Sequence, residues 1–127
     1  MMSVFSWVSR RTLKYSPVIL NDKDFIVVGN NEDILKTIGV DGRIVYTPGH
    51  TYDSVSVILA NGDAFVGDAC MNFLGFLHYR PIVISNSDLV FESWRQIINN
   101  GARTIYPAHG KPFAVKEIIR YEKLYAP

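Results

Sequence analysis

"RIVYTPGHTYDSVSVILANGDAFVGDAC", residues 43–70, contains an apolar run that stops at Pro48-Gly49, a histidine directly after that pair, and two more strand-like runs joined by Asn61-Gly62. Pro-Gly redirects a chain, so the run before it reads as a strand that ends there. Asn-Gly favours the tight type I′ turn of a β-hairpin, which makes "SVSVILA" and "DAFVGDA" its two antiparallel strands. In the first of these, Val55, Val57 and Leu59 share one face, and Ser54, Ser56 and Ile58 the other. A hairpin returns the chain to the end of the sheet from which it set out. His50 precedes the first strand and Asp68 closes the second, so the turn alone brings an imidazole and a carboxylate to one rim.

Upstream, "DFIVV" (residues 24–28) reads as a buried strand, and "NEDILKTIG" as a short helix with an Asn cap and Gly39 just past its end. Residues 1–23 show no clear period and are expected to form an irregular or helical arm. Downstream, residues 71–86 contain Gly75 and Pro81 and read as a loop over a pocket. Ser87 is expected to cap the helix "DLVFESWRQIINN", with Val90, Phe91, Trp94, Ile97 and Ile98 on its core face and Gly101 at its end. "TIYPAHG" is a strand leading into a loop at His109. "AVKEIIRYEKLY" is an amphipathic helix expected to bury Val115, Ile118 and Ile119. The order predicts one α/β domain over residues 1–127, with helices on one face of a mixed sheet.

The totals narrow the partners. Thirteen basic and 12 acidic residues leave a net charge of +1, which gives no electrostatic reason for a nucleic-acid or membrane partner. One cysteine, Cys70, excludes an intrachain disulfide and suits a reducing cytoplasm. No apolar run approaches the ~18 residues of a membrane helix. Arg10 and Arg11 follow the first apolar stretch, the reverse of a secretory signal. A soluble cytoplasmic protein is the expectation.

Zinc takes neutral imidazole nitrogen and carboxylate oxygen, and its catalytic sites leave one position to water. His50, Asp68 and His109 each follow a predicted strand and have the right donor atoms. Strand ends also carry polar residues for other reasons, so loop histidines and an Asx turn at Asp68 stand as the alternative.

The words around these residues are more specific. "TPGHT" (47–51), "VGDA" (66–69) and "YPAHGKP" (106–112) resemble, in order and context, the last three sequence blocks of the metallo-β-lactamase superfamily, which includes thioesterases, lactonases, β-lactamases and nucleases. The resemblance covers residues 24–127, corresponding to the C-terminal half of such an enzyme. It implies half of an αββα sandwich, with one mixed sheet and helices on one face. It also implies that His50 binds one metal, Asp68 bridges two and helps catalysis, and His109 binds the second, with zinc as the expected ion. The family's first block, H-x-H-x-D-H, does not occur; the histidines are His50, His78 and His109. "HTYDS" also stands where "HTPGS" is common, which alters the turn beside His50.

His78, Tyr79 and Arg80 are candidates for a substrate-facing loop in which Arg80 meets a carboxylate or phosphate; an ordinary surface loop is the alternative. Cys70 and Trp94 read as core, and Lys111 as a solvated charge. Two functions follow from the resemblance. One is a metal-dependent hydrolase, or part of one, acting on an ester-, lactone-, thioester- or phosphodiester-type bond of a small molecule. The other is a non-catalytic truncated form serving as a structural or dimerisation module. A half sandwich exposes the inner face of its sheet, with Val55, Val57 and Leu59, so a homodimer packed through that face is expected.

Overall fold

The computed structural model describes residues 19, 21–22, 33–73 and 78–125. Most of the arm expected over residues 1–23, the strand expected at 24–28 and the Asn cap of the first helix lie outside them. The described elements are α1 (Asp33–Thr37), β1 (Gly42–Tyr46), β2 (Val55–Leu59), β3 (Asp63–Gly67), α2 (Ser87–Asn99), β4 (Thr104–Pro107), β5 (Phe113–Ala114) and α3 (Lys116–Tyr125). The strands form one mixed sheet in the order β1-β2-β3-β4-β5. Neighbours are antiparallel except β3 and β4, which run parallel and are joined through α2.

The hairpin forms where the sequence predicts it, with a different turn. Val57 pairs with Phe65 and Ile58 with Ala64, which leaves Ala60, Asn61 and Gly62 as the loop. A type I′ turn needs positive φ at both central residues. Gly62 has φ of 91°, but Asn61 is not among the positive-φ residues. The Asn61 side chain is spent locally instead: Oδ1 accepts from the Asp63 amide and Nδ2 donates to Asp63 Oδ2, both at 2.9 Å. The result is a three-residue loop closed by a left-handed glycine, the next most common hairpin connection.

Alternation along the strands sorts the two faces of the sheet. Val45, Ile58, Ala64, Val66 and Ile105 point to the core and are almost fully buried. They pack against Trp94 and Ile97 of α2 and Ile118 of α3, all of zero exposure. Ser56, also on this face, is buried in a hydrogen bond with Thr47, Oγ to Oγ1 at 2.8 Å. Its polar group is thereby satisfied in an apolar layer.

Asn86, not Ser87, caps α2. Its side chain accepts from the amides of Asp88 and Leu89, the orphan donors of the first turn, and Ser87 is already helical. The buried face of α2 is Val90, Phe91, Ser93, Trp94 and Ile97, with Ile98 partly buried at its edge. In α3 only Ile118 is fully buried among the three residues expected; Val115 precedes the helix, and with Ile119 is half-buried.

On the other face, the register aligns Ile44, Val57, Phe65 and Tyr106 in one row across four strands. Phe65 and Tyr106 stack with ring centroids 5.0 Å apart. Phe65 and Val55 remain about half exposed.

Candidate functional site

Strand directions decide where the polar loops emerge. β1, β3 and β4 all end at the same edge of the sheet, because β1 and β3 each pair antiparallel with β2 and β4 runs parallel to β3. His50 follows β1, Asp68 follows β3 and His109 follows β4. All three therefore leave the sheet together.

Local packing aims them. Gly49 lies against α2 with φ of 136°, and a Cβ there would come within 2.6 Å of Val90 Cγ2. The Ser93 hydroxyl donates to the Pro48 carbonyl at 2.5 Å, tying the same turn to the helix. Beside Asp68, the Trp94 indole N–H donates to the Ala69 carbonyl at 2.8 Å. The Ala108 amide donates to the Gly67 carbonyl at 2.9 Å, which joins the Asp68 and His109 loops. The third loop is further held by Asn72, whose amide donates to the His109 carbonyl at 2.9 Å. Gly110 passes so close to Asn72 that a Cβ would sit 2.1 Å from its carbonyl oxygen.

The side chains meet at Asp68. His109 Nδ1 lies 2.6 Å from Asp68 Oδ1, and His50 Nε2 lies 3.6 Å from Asp68 Oδ2. A carbonyl only accepts, so His50 Nδ1 must donate its proton to Val83 O, 2.7 Å away. With Nδ1 held in this bond, Nε2 is the ring nitrogen that faces the carboxylate. An ionised carboxylate likewise only accepts, so His109 Nδ1 donates to Asp68, and Nε2 is the ring nitrogen not engaged in that bond.

The His50–Asp68 pair fits a metal ion. Nε2 and Oδ2 face each other at 3.6 Å, close to the spacing of neighbouring ligands on a tetrahedral ion with bonds of about 2.1 Å. His109 stands in a different state, with Nδ1 turned onto Asp68. Accordingly, among the described residues no group of three or more His, Cys, Asp or Glu is assembled as a metal cage. The donor set suits an open site finished by solvent rather than a closed structural one.

His78 stacks on Tyr121 and Tyr125 of α3, with centroids 4.6 and 5.9 Å away, and Tyr79 packs at a tilt against Phe113 of β5. Both residues adopt positive φ, 52° and 67°, to place their rings there. Burial and the nearby Glu117 raise the Tyr79 hydroxyl above its ordinary pKa. Arg80 is exposed. Cys70 is fully buried, and burial pushes its thiol far up. A cleft of about 420 Å³, lined partly by Lys36, Arg43 and Arg103, opens at the opposite end of β1 and β2 and shares no residue with the trio. His50, Asp68 and His109 are where donor atoms converge. Sequence reasoning missed Val83, whose carbonyl orients His50, because a backbone acceptor leaves no residue-type signal.

No family model matches the chain. It is 35% identical over 78 residues to an atrochrysone carboxyl ACP thioesterase from Aspergillus aculeatus, a match covering 61% of this chain and 23% of that protein. An archaeal metallo-β-lactamase superfamily protein from Sulfolobus tokodaii superposes with a TM-score of 0.51 at 24% identity, over 68% of this chain and 34% of its own. VMB-1 gives 0.56 at 23% identity, over 80% and 46%. A metallo-β-lactamase family protein from Thermus thermophilus gives 0.54 at 21%, over 87% and 35%. The chain thus has the metallo-β-lactamase superfamily fold over part of those proteins' length, and spans about a quarter of the curated relative.

Proposed function

We propose that this chain supplies the His50–Asp68–His109 portion of a metal-dependent hydrolase of the metallo-β-lactamase superfamily, with zinc as the ion. The observation that supports it is the convergence of two imidazoles on one carboxylate at a single sheet edge. The thioesterase relative favours a carbonyl substrate of the ester or thioester kind over a phosphodiester. His50 Nε2 and Asp68 Oδ2 would hold the ion, and His109 would join on releasing Asp68. When bound, such an ion polarises the electrophile and supplies hydroxide at neutral pH. Val83 O keeps the His50 ring in the ligating tautomer. As a carboxylate Asp68 accepts hydrogen bonds only, so it orients water for attack. The second function, a non-catalytic dimerisation module, draws on the half-exposed Phe65 and Val55 of the sheet face opposite the helices.

The deciding experiment is metal content after chelator-free purification, paired with hydrolysis of generic ester, thioester, lactone and phosphodiester substrates. Near-stoichiometric zinc with turnover lost in Asp68→Ala supports the hydrolase. Metal-free protein with no turnover, even after zinc is added, transfers the case to the module.

A further inference from the structure

Four large apolar residues near the trio are exposed. Tyr52 is 63% exposed, Val83 62%, Phe73 48% and Ile82 46%. Large apolar side chains held in water at this level need a reason when they cluster. Val83 and Phe73 contact a site histidine, and Ile82 and Tyr52 lie within two residues of His50 or its partner. Val83 supplies the carbonyl that binds His50 Nδ1, and Ile82 precedes it. Ser85, two residues on, donates to the His50 carbonyl at 2.9 Å, so this segment is fastened to the His50 loop at both Val83 and Ser85. Tyr52 lies two residues beyond His50, and its carbonyl accepts the Tyr46 hydroxyl. Across the site, the Phe73 ring lies 6.1 Å from that of His109, tilted by 48°. The donor atoms thus have the exposed Ile82–Val83 segment on the His50 side and the Phe73 ring on the His109 side.

That division matches a ligand with a polar reacting centre and an apolar body. A wholly polar substrate would leave both sides in water, and a purely apolar one would strand three polar side chains. We infer that Phe73, Val83, Ile82 and Tyr52 form a specificity rim that selects the apolar acyl group of a carboxylic ester or thioester. The inference rests on the hydrolase reading, which it deepens by naming what is cleaved. It also names residues that set the preference without touching the reacting atoms.

Carboxylate products test the rim without turnover. Butyrate, octanoate and 2-naphthoate are titrated into the full chain, and binding is followed by NMR at the Tyr52, Phe73 and Val83 resonances. Octanoate and 2-naphthoate are expected to bind about tenfold tighter than butyrate, four methylenes being only partly covered at an open rim. In Phe73→Ala and Val83→Ala the octanoate-to-butyrate ratio is expected to fall to about threefold or less. Both side chains are exposed, and Val83→Ala keeps the carbonyl on His50, so neither change removes core. Leu124→Ala, on the exposed face of α3, should keep the full ratio. Equal affinity for all three acids overturns the rim. So do resonance shifts that follow protein concentration rather than ligand, which would give the rim to a second copy of the chain. A preserved ratio without hydrolysis of octanoyl esters upholds the rim and sinks the hydrolase separately.

Discussion

Gly49 is the residue on which the His50 loop turns. Its φ of 136° suits glycine, and Val90 N and Cγ2 occupy the place a Cβ would take, at 2.7 and 2.6 Å. Gly49→Ala therefore faces strain and collision together. A loss of about 2–4 kcal/mol in urea unfolding is expected, together with displacement of His50 from Asp68. The Pro-Gly-His order made a turn before a histidine legible in the sequence; the helix that closes on the turn was not, because nothing local records which side chain lies across a glycine. Cys70 makes the opposite case. It is fully buried and its thiol is pushed far above the ordinary range, so thiolate is scarce at neutral pH. Iodoacetamide at pH 8 should leave the folded protein unmodified over hours and label Cys70 rapidly in guanidinium. Fast labelling of folded protein would place the thiol at the site surface instead of in the core.

At the scale of elements, α2 is the part that packs the sheet and braces the site. Its Asn86 cap accepts two amides, and the Asn86 amide donates to the Gly49 carbonyl at 3.2 Å, so helix start and histidine loop are one structure. Asn86→Ala removes only the side-chain acceptor and should cost about 1 kcal/mol, read from the urea midpoint. Asn86→Asp should retain most of that stability. The helix itself was legible from its apolar spacing, but its cap was misplaced by one residue because Asn86 and Ser87 are both good caps and only backbone geometry chooses between them. The hairpin followed the same logic. Asn61-Gly62 announced the reversal, while the loop length depended on the Asn61 side chain turning to Asp63. The convergence of His50 and Asp68 survived that difference, since either loop returns the chain to the same edge.

For the whole molecule, one face of the sheet is covered by helices and the other carries the row Ile44, Val57, Phe65 and Tyr106. Phe65 at 48% and Val55 at 46% exposure lie on an apolar surface that extends over neighbouring strands. A second copy offers a matching face, and a homodimer is expected by sedimentation at micromolar protein, with Phe65→Asp shifting it toward monomer. A monomer at that concentration would refute the pairing. The strand alternation made this face visible in advance. It did not reveal where His78 and Tyr79 would go, because the packing of His78 on α3 and of Tyr79 on Phe113 of β5 goes with two positive-φ residues that sequence composition does not flag.

The most direct test of the account uses the three histidines themselves. His50, His78 and His109 are the whole set, so imidazole NMR during a zinc titration reports each ring separately. The His50 and His109 signals should move together and saturate while His78 stays still, and Asp68→Ala should abolish the response. A zinc response in which His78 moves as much as the other two, or which survives Asp68→Ala unchanged, would contradict the proposed centre.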